Sequence, residues 1–420
     1  MSELQAVQRP RRVVTLPPML RGDAALDFIW DVKARGAEVI EVRTDLHDAS
    51  ERVDHFASVM DVLVSERGKP LPELWLAAAT YADVELELGS GRPQGIQLVL
   101  SHHAKAPMTT VAARALWDGA EVPADAWIKH VEPIDTPADG VRLVETQAAL
   151  RAAFGSRVTV LGTGRIALPF RAVLAQQNAF DYLAVDPRFV AAPGQRLLDD
   201  AVREAKAAVS GPRKGILGSR IGHSRSPRIH RQPFDRIDLP ADAPVGELVD
   251  ALRPFYVGFA VTSPFKKVLA SHVGATTDAI NTLYRRNDRW SVANTDVDGA
   301  RAVLEALGAK QVTALGEGGA TWAIRTAAAD LGIALKVLRR EGAEEAPPIS
   351  GAAIWTWPDN VPAPTWLRFD GARVAVIAYG APARRIATEI ALRGGIPVRL
   401  GPRWLIAQAR TQRQLWGRDT

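Results

Sequence analysis

The sequence predicts an α/β protein in two parts, an N-terminal (β/α)8 barrel and a second α/β half that includes a Rossmann-type domain. Three observations predict it. Short β-branched runs alternate with amphipathic helical stretches as far as Val209. Ser210-Gly211-Pro212-Arg213-Lys214-Gly215 then breaks the helical pattern. Beyond it, Val312–Leu315 runs into Gly316-Glu317-Gly318-Gly319-Ala320, a strand–glycine–helix unit. At 420 residues the chain is also too long for one ordinary hydrophobic core.

Strands of the first half are expected at Val13–Leu16, Glu38–Arg43, Asp61–Ser65, Asp83–Glu87, Gly95–Ser101, Trp127–Val131, Val158–Gly162 and Tyr182–Val185. Helical patterns lie between most of them, at Asp23–Arg35, Thr109–Gly119, Pro137–Phe154 and Gln195–Val209. Strands and helices interleaved in this way close into a barrel. The link from Leu88 to Pro93 is too short for a helix, so one crossover is reduced. The second half restarts with the strand-like Gly215–Gly218, and Leu335–Arg340 reads as the strand after the glycine turn. Arg384–Arg393 is an ordinary solvated helix face.

Composition narrows the function. The chain has no cysteine, which excludes disulfides, thiolate metal sites and cysteine nucleophiles. No apolar run reaches the roughly 18 residues of a membrane span, and Met1 to Arg12 lacks the apolar stretch of a signal peptide. A cytoplasmic enzyme fits best. The net charge of +5 is modest and its basic residues are scattered, which argues against nucleic acid as a partner. Arginine suits small carboxylate or phosphate ligands, because its fork pairs with both.

Four motifs follow one another in the second half. Ile221-Gly222-His223-Ser224-Arg225-Ser226-Pro227 comes first, with His230. Gly258-Phe259-Ala260-Val261-Thr262-Ser263-Pro264-Phe265-Lys266-Lys267 follows, then Ala279-Ile280-Asn281-Thr282-Leu283, then Asn294-Thr295-Asp296-Val297-Asp298-Gly299. Alone, an Asn-Thr-Asp is usually a turn and a Pro-Phe-Lys a loop with a solvated lysine. In this order, before a glycine-rich turn, they resemble shikimate dehydrogenase from Gly215 to the chain's end.

The resemblance implies a ketone reduction in which Lys266 moves the proton at oxygen and Asp296 orients it. General acid–base work of this kind suits a lysine held by a carboxylate. Ser224, Ser226, Thr262, Asn281 and Gln408, the last in Leu405-Ile406-Ala407-Gln408-Ala409, would bind the substrate's carboxylate and hydroxyls. Tyr379 would stand on the substrate or nicotinamide side. Gly316, Gly318, Gly319 and Ala320 would let a helix N-terminus approach a pyrophosphate. Arg339 and Arg340, closing the next strand, favour a 2′-phosphate, hence NADP over NAD. Ala260 stands where the family has asparagine, the Asn-Arg-Thr after the strand is missing, and the segment from His230 to Gly258 is trimmed.

In the first half, Ala126-Trp127-Ile128-Lys129-His130-Val131 precedes a long helix, and Ser101-His102-His103 ends a strand. Glu38 to Asp45 holds Glu41 and Arg43, Arg67 lies past strand three, and Ala192-Pro193-Gly194-Gln195 comes late. Together these resemble type I 3-dehydroquinate dehydratase, a metal-free barrel enzyme. The resemblance implies that Lys129 forms an imine with substrate and His103 acts as acid and base. Glu41, Arg43, Arg67 and Gln195 would bind substrate. An apolar barrel interior lowers a lysine pKa by desolvation, which an amine nucleophile needs. Taken alone, a histidine pair after a strand is more often structural. Ala104 and Ala191 replace an aspartate and a loop serine of that family, and Arg165 and Arg171 compete for its arginine after strand seven.

The expected organisation is a dehydratase-like barrel over 1–210 and a dehydrogenase-like part over 215–420. Within the second, 215–298 with 400–420 would bind substrate and 299–399 NADP. The product of the first reaction is the substrate of the second, so a fusion enzyme for consecutive steps is the leading expectation. The alternatives are an active dehydrogenase beside an impaired barrel, and a sensor of quinate-pathway acids that has lost some chemistry.

Overall fold

The computed structural model describes residues 9–88, 93–207, 212–222, 224–277, 279–341, 347–358 and 360–417. Ser210, Gly211 and His223 of the motifs above lie outside them. The chain divides into two compact units, residues 1–227 with 232–256, and residues 228–231 with 257–420.

The first unit is built on parallel strands β1 (Arg11–Thr15), β2 (Val39–Arg43), β3 (Asp61–Ser65), β4 (Tyr81–Glu85), β5 (Gln97–His103), β6 (Trp127–Pro133), β7 (Val158–Thr163), β8 (Phe180–Ala184) and β9 (Arg196–Leu197). Their ladder runs in the order β7-β6-β5-β4-β3-β2-β1-β8-β9. Val13, Val39, Leu63, Tyr81, Val99, Val131, Leu161, Phe180 and Tyr182 fill the barrel's interior. A second cluster, with Ile29, Val32, Val62, Val64 and Trp75, packs the helices onto the strands' other face. Such two-sided burial is why these strands read as near-continuous apolar runs.

β7 and β8 meet without a ladder. Ala179 N–H donates to Val158 O (2.8 Å) and Phe180 N–H to Thr159 Oγ1 (3.0 Å). The buried Asn178 side chain acts as a surrogate strand, its Oδ1 accepting from Val160 N–H (2.8 Å) and its Nδ2 donating to Val160 O (2.9 Å). Buried Arg171 spans the same seam, reaching Gly162 O (3.5 Å) and Tyr182 O (2.9 Å). Buried backbone groups must be paired, and here side chains do it.

Several strand limits correct the sequence expectation, and two of them bear on the site. β4 begins at Tyr81 rather than Asp83, because the Tyr81 ring packs edge-on against Phe180 inside the barrel at 5.4 Å. β5 continues past Ser101 to His103, laddered onto Val131 of β6. Between β4 and β5 the described chain forms the short 3-10 turn Leu86–Leu88, and residues 89–92 of the link from Leu88 to Pro93 lie outside the described residues.

Residues 213–256 fold with the barrel. They carry the parallel pair β10 (Arg213–Gly218) and β11 (Phe234–Asp238) and the helix Val245–Leu252. A buried ionic network fixes them. Arg213 bridges Asp235 (2.6 Å) and Glu204 (2.7 Å), Arg196 pairs with Asp181 (3.1 Å) and Glu204, and Tyr256 Oη donates to Asp235 (2.8 Å).

The second unit opens with the antiparallel strands β12 (Tyr256–Val261), β13 (Thr282–Arg286) and β14 (Arg289–Ala293). A five-stranded parallel sheet follows, from β15 (Gln311–Leu315), β16 (Ala334–Leu338), β17 (Ala352–Trp355), β18 (Arg373–Val376) and β19 (Ile396–Arg399), in the order β16-β15-β17-β18-β19. Ile354 and Ala375 face one apolar cluster, Trp355, Val374 and Val376 the other, so helices cover both faces. The order reverses at β15, which makes the crevice beyond its C-terminal end the place where such sheets bind ligands. No helix among the described residues is long and apolar enough to cross a membrane.

Candidate active site

Inside the barrel, at the C-terminal ends of the strands, stands a cluster of charged side chains. Lys129 of β6 is the centre, with a side chain 4% exposed. Its Nζ donates to Asp83 Oδ2 of β4 at 2.7 Å, lies 4.0 Å from Glu41 Oε1 of β2, and sits 4.3 Å from the centroid of the Tyr182 ring. Arg67 closes the cluster, donating to Asp83 (3.1 Å) and Glu85 (2.8 Å). His103 Nδ1 lies 3.2 Å from Glu85 Oε1. Thr15 and Ser65 donate to Glu41 at 2.5 and 2.8 Å.

The pKa directions follow from burial and charge. Burial lowers Lys129, and Arg67 lowers it further, against the pull of Asp83 and Glu41. Burial pushes Asp83 up, but Lys129 and Arg67 outweigh it and hold the carboxyl below its usual range. Glu41 is lowered in the same way, Lys129 and the two arginines overcoming desolvation. Burial also lowers His103, against its Glu85 contact, which favours the neutral imidazole a proton-transfer group needs.

The structure thus brings Lys129, His103, Glu41 and Arg67 together. Arg43 forks onto Asp45 at 3.0 and 2.7 Å instead. Gln195 holds its own loop, its Oε1 accepting from Ala191 N–H (2.8 Å). It lines a cavity of about 290 Å³ with Arg165, Arg196, Asp200, Arg236 and Asp238, none of them from the Lys129 cluster. Of the two arginines competing for the place after strand seven, Arg171 is spent on the seam and Arg165 pairs at the surface with Asp242 (2.5 Å). Neither joins the cluster.

Asp83, Glu85, Ser65 and Tyr182 were not picked out from sequence. The signal for the first two was there: Tyr81, Asp83 and Glu85 alternate at the strand period, so one face carries all three.

In the second unit Lys266, at the start of the helix Phe265–His272, lies 3.3 Å from Asp296, the first residue of the helix Asp296–Leu307. Trp404 Nε1 donates to the other oxygen of Asp296 at 3.3 Å, and a Cβ at Gly299 would strike that indole at 2.7 Å. Asn281 is buried. Its Oδ1 accepts from Thr282 Oγ1 (2.8 Å), Thr295 N–H (2.8 Å) and Thr295 Oγ1 (3.0 Å). That leaves Nδ2 buried with no partner among the described residues. Gln408 and Thr262 are half-buried, and Gln412, one turn beyond Gln408, donates to Thr282 (3.0 Å). Tyr379 is half-buried just past β18. Ser224 and Ser226 belong to the first unit, where Ser226 N–H donates to Ser224 Oγ (3.3 Å).

The glycine turn after β15 fits a dinucleotide phosphate. Gly316 has φ +121°, and a Cβ there would meet Trp357 at 2.7 Å and Thr356 at 2.9 Å, so only glycine turns the chain here. Gly318 and Gly319 face open space at the N-terminus of the helix Gly319–Asp330, with Ala320 in its first turn. The two arginines after β16 are already engaged. Arg339 pairs with Glu317 of the glycine turn at 2.5 Å, and Arg340 stacks over Trp357 and donates to Pro362 O.

No protein-family model matches the chain. Among curated proteins, the shikimate dehydrogenase (NADP(+)) of Bacillus cereus (strain G9842) is 32% identical over 139 residues, 28% of this chain and 50% of that protein. The one from Anaeromyxobacter sp. (strain K) is 36% identical over 144 residues, 30% of this chain and 52% of that protein. The chain spans about half the length of the curated relatives it matches. Among solved structures, a dehydroquinate dehydratase and shikimate dehydrogenase from S. pombe covers 97% of this chain and 96% of its own, at 18% identity and TM-score 0.38. A shikimate 5-dehydrogenase from Thermus thermophilus, in complex with NADP(H) and shikimate, covers 49% of this chain at 23% identity and TM-score 0.41, with 94% of its own length aligned. A 3-dehydroquinate dehydratase from Geobacillus kaustophilus covers 46% of this chain and 89% of its own, at 16% identity and TM-score 0.39.

Proposed function

We propose that the chain is a bifunctional enzyme of consecutive steps, with dehydratase chemistry over residues 1–210 and dehydrogenase chemistry over 215–420. The first site would dehydrate 3-dehydroquinate through an imine at Lys129, and the second would reduce the resulting 3-dehydroshikimate to shikimate. The observation that carries this reading is a lysine set against an aspartate in each half, Lys129–Asp83 within strands of the barrel and Lys266–Asp296 beyond the ends of β12 and β14.

In the barrel, Lys129 attacks the ketone carbon and His103 moves protons to and from the substrate. Arg67 and Glu41 receive its polar groups, Arg43 and Gln195 approaching once substrate competes for their present partners. In the second half, Lys266 gives the ketone oxygen its proton, Asp296 orients Lys266, and Asn281 Nδ2 donates to a substrate hydroxyl. Thr262, Gln408 and Tyr379 are further substrate contacts, as are Ser224 and Ser226. A nicotinamide cofactor, when bound, supplies the hydride. Gly316, Gly318, Gly319 and Ala320 would hold its pyrophosphate, and Arg339 and Arg340 the 2′-phosphate of NADP. The cytoplasm is the compartment proposed for both reactions.

The test is NADPH consumption by purified protein supplied with 3-dehydroquinate alone. Oxidation of NADPH requires both sites. Oxidation with 3-dehydroshikimate but not with 3-dehydroquinate would leave an active dehydrogenase beside an inert barrel, and no oxidation with either would overturn the reading.

A further inference from the structure

We propose that Asp83 is the fixed counterion of the Lys129 iminium, keeping positive charge on that nitrogen at both ends of the imine cycle. The proposal rests on the dehydratase reading of the barrel and assigns Asp83 a role in the chemistry, where that reading gives it none.

The charges facing Nζ come from every side of the barrel. They are Glu41 on β2, Arg67 beyond β3, Asp83 and Glu85 on β4, His103 on β5 and the Tyr182 ring on β8. Arg43, beside Glu41, is matched by Asp45. The carboxylates Glu41, Asp83 and Glu85 therefore face Lys129 and the Arg67 guanidinium. Among the described residues, only one carboxylate touches Nζ. Asp83 is 2.7 Å from Nζ, whereas Glu41 stands at 4.0 Å and is held by Thr15 and Ser65. Glu85 is taken by Arg67.

Imine chemistry conserves charge. An ammonium and a ketone give an iminium and a water: the carbon gains the C–N bond, and its oxygen leaves with two of the ammonium's protons. Loss of the proton on the adjacent carbon then makes a neutral enamine. Departure of the β-hydroxyl, protonated as water, regenerates the iminium, and hydrolysis returns the ammonium. Nζ is thus cationic in the first adduct and in the last. A carboxylate already in contact and held in place stabilises each of these states without reorganising. Asp83 has that character, being fully buried and held by Arg67, which donates at 3.1 Å to the same Oδ2 that Lys129 meets.

The experiment exploits the preference of borohydride for a protonated imine. The protein is loaded with 3-dehydroquinate and reduced across pH, and the mass increase on Lys129 is measured. In the wild type, trapping falls off at high pH as the iminium loses its proton. Asp83→Asn is expected to shift that upper limb down by at least about one pH unit, the effect of removing a contact counter-charge. Glu41→Gln is expected to shift it less. Asp83→Ser, which leaves space rather than strain, gives the same reading if the Asn variant does not melt cooperatively. A merely structural aspartate would lower the amount trapped without moving the limb. Limbs that coincide in wild type and Asp83 variants, or a larger shift from Glu41→Gln, would overturn the counterion role alone. No adduct on wild-type Lys129 at any pH would instead overturn the dehydratase reading beneath it.

Discussion

The two halves treat charge in opposite ways. Around Lys129 in the first unit the ionic groups are buried and tied to one another: the Lys129 side chain is 4% exposed and meets Asp83 across an interior closed by Arg67. In the second, Lys266 is 37% exposed and its contact with Asp296 is longer, at 3.3 Å. A buried charge has its protonation dictated by fixed neighbours, while an exposed one exchanges with water. The difference suits the two chemistries proposed. A covalent nucleophile benefits from a charge state imposed by the protein, and a proton donor that must be recharged each turnover benefits from access to solvent.

The largest expected effects break the comparison at the lysines themselves. Lys129→Ala should lower dehydration by about 10⁴-fold or more, since it removes the covalent route. Lys266→Ala should lower reduction of 3-dehydroshikimate by about 10²- to 10⁴-fold, the usual range for a proton-transfer group, while NADPH binding followed by fluorescence stays unchanged. Each variant should leave the other half's reaction intact when that reaction is assayed with its own substrate. A variant that silences both would show that the halves are not independent sites.

Away from the sites, the same contrast predicts where acid unfolds the protein. Glu204 is half-buried between Arg196 and Arg213. Burial pushes its pKa up, but the two arginines outweigh burial and bring it down to about 2. A carboxyl depressed on folding stabilises the protein fully above its unfolded value, about 4.3, and loses that contribution as pH falls toward the folded value. Glu204→Gln should therefore cost about 3 kcal/mol at pH 7, read by urea unfolding, and the gap from wild type should close between about pH 4 and pH 2. An equal gap at pH 7 and at pH 2 would mean that lost packing, rather than lost charge, sets the cost.

How much of this was legible in the sequence depends on how local each determinant is. The helix Pro137–Phe154 and the strand Asp61–Ser65 fall where periodicity and capping residues put them, the helix opening on a Thr136/Asp139 capping box. Lys129 and Lys266 were legible from motif order. Asp83 and Glu85 lay within the expected strand Asp83–Glu87 yet were passed over, because which face of a strand turns inward is set by its register with neighbours rather than by its own residues. Asn178 and Arg171 bridge a seam that exists only once β7 and β8 are side by side, so nothing local announces them. The docking of residues 213–256 on the barrel is of the same kind, since Arg213 finds its partners 9 and 22 residues away in opposite directions along the chain.

The smallest effect expected concerns an exposed pair whose partner the sequence did not reveal. Arg339 was expected to receive a 2′-phosphate, yet it is paired with Glu317, an acid inside the glycine turn itself, with Arg325 also within 3.6 Å of Glu317. The carboxylate occupies the guanidinium that the phosphate would use, so the two compete. Exposed pairs are weak, and removing this one should tighten binding by only about two- to fivefold. Glu317→Gln should show that gain for 2′,5′-ADP and a smaller one for 5′-ADP, measured by titration calorimetry at low salt, and the difference should shrink at high salt. Equal gains for both nucleotides would place the effect of Glu317 on the pyrophosphate, through repulsion at the helix N-terminus, and would remove Arg339 from 2′-phosphate recognition.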